Sequence, residues 1–417
     1  MFALRGARSV RPSASAALVC VLMVFAMGSY RYRPPEELWS QGGFDAEVKF
    51  EIAAWLGLGL LAGALMVARK VDLRCLFVSP MRWYVCLVVL FGVSAFYSPS
   101  PQVTAFRVGQ IGVVLVLVAA ARPSLTQVYL LICCFIALNW LVYMLGYRYV
   151  GDPTAAWRLG SVVGPPPQLG VVAAVGGAGR IARMQRQGEW RLWLGPFLLL
   201  ATTAMLTGCR SAIAGLAGSV LVVLVLRRRV VALACIGLTV TAVMLPSAGP
   251  TWVWRTYNRG QTASQIRSVS GRDVILATAL ERSSQHALFG EGFMSGRAQL
   301  LVESAGGAET HAHNLWVDSY LAVGVVGPLL ACVILASLCS KTLWFAKLPV
   351  PVDRAEGIEP LSMLIPVTLF CVTDSGFAAP VCPVVVLLVG FLSVLSRDHA
   401  GVLEAVRRGL PRTRVLR

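Results

Sequence analysis

Charge is what this chain has least of. Only 14% of its 417 residues are charged and 57% are hydrophobic, and a mean hydropathy of +0.70 excludes a soluble domain of this length. Histidine is scarce, four in all and scattered, and no C-x-x-C occurs, so the spacing offers no zinc cluster and no metal site is expected. There are eleven cysteines, none of them between 247 and 312, which leaves that stretch without a disulfide staple. Also missing are an internal repeat of the transporter kind and any nucleic-acid-binding motif. The formal net charge of +17 is therefore read as membrane retention and anionic-lipid contact, with no nucleic acid as partner.

What the chain does have is a succession of apolar runs, each long enough to cross roughly 30 Å of hydrocarbon at about 1.5 Å per residue. They fall near 14–30, 50–68, 81–97, 103–121, 125–146, 160–179, 190–206, 211–226, 230–246, 314–337, 361–376 and 380–396. The expected fold is an all-α polytopic membrane protein with about twelve transmembrane helices, forming a single integral membrane domain over 1–417. The run at 160–179 begins with Gly164, Pro165, Pro166 and Pro167, residues that break the first turns of a helix and suit a re-entrant start.

Lysine and arginine decide the expected orientation, because positive residues are retained on the cytoplasmic side. With the N-terminus inside, Arg5, Arg8, Arg11, Arg69, Lys70, Arg122, Arg183, Arg186, Arg227, Arg228, Arg229, Lys347 and the basic tail at 397–417 all fall on the cytoplasmic face. Both termini are thus expected on the cytoplasmic side of the membrane. One large extracytoplasmic loop, 247–312, falls between the ninth and tenth spans. Loops this long inside a compact protein are usually functional. Within it, 270–284 reads as a short helix whose Val274, Ile275, Ala279 and Leu280 would lie on the membrane surface. Gly290 and Gly292 mark a tight turn.

Three outer-facing residues carry the chemistry in this reading: Arg210 between the seventh and eighth spans, Arg272 in the large loop, and His313 at the start of the tenth span. A guanidinium offers paired donors to phosphate oxygens and stays charged; histidine suits proton removal near neutral pH. Taken singly, each also fits a bland role, a snorkelling arginine or a helix-start histidine. Arg107 in the fourth span and Asp374 near the outer end of the eleventh are candidates for charges lining a substrate cavity.

The pattern is more specific than its parts. His313-Asn314, nine residues, then Gly324-Val325-Val326-Gly327 forms H-N-x9-G-x-x-G; Thr207-Gly208-Cys209-Arg210-Ser211-Ala212 precedes it, and Gly271-Arg272 with Gly290-x-Gly292 lies between. Read as one helix, His313, Trp316, Tyr320, Gly324 and Gly327 would share a face, with the glycines allowing close packing. These segments resemble the bacterial O-antigen ligase and polymerase family over roughly Gly160 to Leu330, Cys209 standing where that family usually has serine.

The resemblance implies a glycosyltransferase of the bacterial inner membrane in surface polysaccharide biosynthesis, in lipopolysaccharide or exopolysaccharide assembly, inverting and without metal or other cofactor. The donor would be an undecaprenyl-diphosphate-linked oligosaccharide, and the acceptor a growing glycan or lipid A core. Membrane lipids and a chain-length regulator would be its further partners. Arg210 and Arg272 would bind the diphosphate and His313 would act as base, with Asn314, Tyr320, Arg107 and Asp374 contacting substrate. Two other functions fit the composition. A metal-dependent polyprenyl-phosphate glycosyltransferase would want acids in an early outer segment, where Glu36, Glu37, Asp45 and Glu47 stand; a transporter or flippase of lipid-linked oligosaccharide would share the span number.

Overall fold

The computed structural model describes residues 46–69, 73–121, 123–146, 158–160, 165–187, 190–226, 272–294, 312–346, 351–374, 376–378 and 382–407. The spans expected at 14–30 and 230–246, and most of the loop 247–312, lie outside them. Among the described residues the chain is helical throughout and no strand occurs. The helices are α1 (Ala46–Arg69), α2 (Met81–Val93), α3 (Pro101–Ala121), α4 (Leu125–Met144), α5 (Pro166–Gln187), α6 (Trp190–Leu206) and α7 (Arg210–Leu226). Then come α8 (Arg272–Ser283), α9 (Leu315–Val323), α10 (Val326–Ala346), α11 (Pro351–Thr373) and α12 (Pro383–Arg407).

Apolar sequence in lipid has to satisfy every backbone polar group internally, which leaves helices as the solution for such runs. Among the described residues four stretches, Glu51–Ala68, Pro101–Ala121, Gln127–Met144 and Val326–Trp344, are long and apolar enough to cross a membrane. Shorter apolar helices occupy Met81–Phe96, Trp193–Leu206, Arg210–Leu226, Ile358–Thr373 and Val384–Ser396. Local signals set several ends. Ser124 starts α4 with a capping box, its hydroxyl accepting the Gln127 N–H while Gln127 Oε1 accepts the Ser124 N–H at 2.7 Å. Gly208, at φ +60°, turns the chain from α6 into α7, a backbone state that glycine takes without a Cβ penalty.

The interior is built around α5, whose residues from Leu169 through Ala174 are fully buried among α4, α6, α7 and α11. Small residues let the backbones meet, as in membrane helix packing generally. A Cβ on Gly215 of α7 would stand 2.5 Å from Pro366 Cα of α11, and one on Gly170 of α5 would stand 2.9 Å from Cys209 Cβ. By contrast α1 leaves Leu60 and Val67 exposed, as a helix facing lipid would.

Long-range bonds sort the helix ends into two groups. At one end Lys341 of α10 donates to the Ser79 carbonyl before α2. Ser396 of α12 accepts the Met81 N–H there, and Arg183 of α5 pairs with Glu359 of α11 at 2.6 Å. The opposite end holds the close of α2, the start of α3, the α6–α7 corner, α9 and the close of α11.

Two expectations are corrected. The run 314–337 is not one helix: α9 stops at Val323, Gly324 turns at φ +69° and ψ −159°, and α10 begins at Val326. Gly324 and Gly327 therefore make a turn instead of continuing one helical stripe with His313. A Cβ on Gly324 would lie 2.2 Å from the Leu288 carbonyl oxygen, so both the backbone angle and the neighbour require glycine. The helix expected at 270–284 is present as α8, but Ile275, Leu276 and Ala279 pack against Ala312, Val317 and Leu321. Ile275 and Ala279 of the expected membrane face therefore cover α9, while Leu280 stays exposed.

Candidate functional site

Arg210 and His313 lie far apart in sequence, and helix register brings them to one end. Along α7 and α11, Gly215 faces Pro366, and four residues on Ser219 Oγ donates to the Ser362 carbonyl at 2.8 Å. The two helices therefore run antiparallel, and five residues back from Gly215, roughly 7.5 Å of rise, Arg210 stands level with Cys371. Val372, the next residue, accepts a hydrogen bond from Asn314 Nδ2 at 3.1 Å. The corner carrying Arg210 and the turn carrying His313 are thus both set at this end of α11.

The Arg210 corner is tightly held. Thr207 and Cys209 are buried, and the Cys209 N–H donates to Thr207 Oγ1 at 3.3 Å. From the preceding segment, Arg158 Nε donates to the Thr207 carbonyl at 2.6 Å, and the Leu159 N–H donates to the Leu206 carbonyl at 2.9 Å. A second arginine thereby stands at the same corner, a residue the motif reading does not single out. The segment offered little signal, because a lone arginine between apolar runs resembles any loop residue.

His313 occupies the left-handed region at φ +52°, uncommon for a side chain other than glycine, though histidine is among the tolerated types. Around it the chain is pinned on three sides. Asn314 caps α9, its Oδ1 accepting the Trp316 and Val317 N–H groups at 3.0 and 3.2 Å. Ala312 is buried beside Ala279 of α8. Asp318, fully buried, accepts the Ala312 N–H on Oδ1 at 2.8 Å and the Asn314 N–H on Oδ2 at 3.4 Å. Asp318 is not one of the motif's fixed residues, and the signal that marks it is an acid within an apolar helix.

The Gly290–Gly292 turn closes the side. The Glu291 and Gly292 N–H groups donate to the Leu321 and Ala322 carbonyls at 2.7 and 3.1 Å, and the Val325 N–H to the Ala287 carbonyl at 2.9 Å. Beyond it, Phe293 stacks on Phe91 with ring centroids 4.2 Å apart, its N–H donates to Ser94 Oγ at 2.9 Å, and its carbonyl accepts from Thr104 at 2.6 Å. The loop is bolted to the α2–α3 corner on one side and to α9–α10 on the other. Gly290 and Gly292, both at positive φ, are held in this turn by these bonds.

The remaining expected residues distribute as follows. Arg272 opens α8, three residues before Ile275, and its side chain lies outside the described residues. Asn314 has both ends of its amide on protein atoms. Tyr320 is half-buried on α9, and Asp374 follows α11 two residues after Val372. Arg107 sits one turn beyond Thr104 on α3 and pairs with Glu51 of α1 at 2.5 Å, with Gln110 bonded to both; its guanidinium points to the α1 side. Among the described residues no three histidine, cysteine, aspartate or glutamate side chains gather as a group able to hold a metal ion.

A membrane protein, helical among the described residues, with Arg210 and His313 at one end of its bundle is the class these features define. Residues 195–332 match the family model described as O-Antigen ligase, and the chain is similar to that family across α6 from Gly195, α7, α8, α9 and the start of α10. The resemblance read from the motifs is supported by this match, which contains Arg210, Arg272 and His313. Among curated proteins nothing matches the chain. The match supports a membrane enzyme of surface polysaccharide biosynthesis.

Proposed function

We propose that the protein transfers or polymerises oligosaccharide from an undecaprenyl-diphosphate-linked donor, by a single inverting displacement that needs no metal. The observation that carries this reading is the common placement of the Arg210 corner and the His313 turn at one end of α11, with the helix that begins at Arg272 packed on α9. In the proposed reaction His313 accepts the proton of an acceptor hydroxyl, whose oxygen attacks the anomeric carbon. The bond from that carbon to the diphosphate breaks, and the guanidinium groups of Arg210 and Arg272 take up the charge on the departing diphosphate. Attack opposite the leaving group inverts the anomeric centre. Arg158 at the same corner adds positive charge to the donor's surroundings. A chain-length regulator and a cytoplasmic location of both termini belong to the same proposal.

Purified full-length protein in nanodiscs, given a labelled lipid-diphosphate oligosaccharide and a glycan or lipid A core acceptor, tests the reading. The expected product is a longer or newly attached glycan of inverted configuration, formed equally with and without EDTA. Loss of product with EDTA would favour the metal-dependent glycosyltransferase. Movement of the labelled lipid across vesicles with no new glycosidic bond would favour a flippase.

A further inference from the structure

We infer that Asp318 is the positioning residue of His313: its carboxylate brackets the histidine by accepting the N–H of the residue on each side, and so holds it in the left-handed conformation. This rests on the transfer reading above for its kinetic consequence and on the geometry alone for the rest. Two observations meet here. His313 adopts φ +52°, a state most side chains avoid, and such a conformation persists only where surrounding structure over-determines it. The buried carboxylate of Asp318 supplies that determination, Oδ1 to Ala312 N–H at 2.8 Å and Oδ2 to Asn314 N–H at 3.4 Å.

A carboxylate is needed because both oxygens act only as acceptors, and hydrogen bonds to an ionised acceptor are the stronger kind. An amide of the same shape would present a donor to one of the two N–H groups. The other restraints on this turn are the Asn314 cap on the Trp316 and Val317 N–H groups, Ala279 of α8 against Ala312, and the Val372 carbonyl of α11 on Asn314. Asp318 touches both flanks of His313 at once, and it ties the turn to the helix the turn begins. Through it the imidazole is aimed relative to the starts of α8 and α7, where Arg272 and Arg210 stand.

The test uses full-length protein labelled on its histidines, which number only four, with the His313 signals assigned from His313→Gln. In Asp318→Asn the His313 ring signals should move while those of His286 and His399 stay. Turnover should fall by about 10- to 100-fold at unchanged donor KM, since a displacement of about 1 Å at a reacting group can cost about 10²-fold. A merely structural role would lower the yield of folded protein and leave the turnover of what folds, and the His313 signals, as in wild type. If the asparagine variant does not fold, Asp318→Glu carries the test, expected to lose turnover at unchanged donor KM because the charge is kept and displaced by one methylene. Wild-type His313 signals and turnover in a folded variant would overturn the inference. Absence of any transfer by the wild-type protein would instead sink the transfer reading, while the histidine signals would still decide the role of Asp318.

Discussion

Replacing His313 separates its chemistry from its backbone, and the structure says how large each part should be. At φ +52° a Cβ costs roughly 1–2 kcal/mol relative to glycine, so His313→Ala mixes loss of the imidazole with a strained turn, whereas His313→Gly removes the imidazole and relieves the strain. The bonds from Ala312 and Asn314 to Asp318 are made by backbone groups that both variants retain, so the turn should persist. General-base assistance contributes about 10²–10⁴-fold, which at about 1.36 kcal/mol per decade is roughly 2.7–5.4 kcal/mol of barrier. Both variants should therefore lose about that factor in transfer from the lipid-diphosphate donor, with the glycine variant unfolding at or above the temperature of the alanine one. Donor affinity should persist in both. The assay is single-turnover transfer by purified protein, paired with thermal unfolding in the same detergent. Glycine at 313 with transfer within about threefold of wild type would refute the base assignment, because no side chain would remain there to accept the proton.

Arg272→Lys should reduce transfer far more than Arg412→Lys in the basic tail, since lysine keeps the charge and loses the paired donors; equal rates in purified protein would leave Arg272 an interfacial residue. Gly215→Ala should cost about 1–3 kcal/mol of stability by overpacking, because its Cβ would meet Pro366 Cα at 2.5 Å; chemical unfolding of the purified variant measures this. Glu359→Gln should lower the unfolding temperature more than any of these, as it removes a buried carboxylate from the part-buried Arg183, a change of up to about 3–5 kcal/mol when one partner of a buried pair is removed. A reporter placed after Arg228 should behave as cytoplasmic and one near Gly306 as external; an external reading after Arg228 would put the proposed site on the wrong side.

Membrane residence and helical class followed from the sequence alone, since 57% hydrophobic residues in long runs admit no other solvent. The helix at α8 and the turn at Gly290 and Gly292 were legible for the same reason, being matters of local period and glycine placement. So were Arg210, Arg272 and His313 as candidates, through motif spacing and residue chemistry. What the tertiary structure decided is everything that depends on a partner distant in sequence. Periodicity alone carried α9 through Gly324, because a glycine in an apolar run looks like a packing residue until the Leu288 carbonyl is seen against it. The apolar face of α8 had two available surfaces, lipid and protein, and only packing against Ala312, Val317 and Leu321 chose between them. Arg107 meets Glu51 across two helices. Asp318 acquires its meaning only when its two oxygens are found on either side of His313, because hydrophobic period reports which face a residue occupies and not which backbone groups its carboxylate will satisfy.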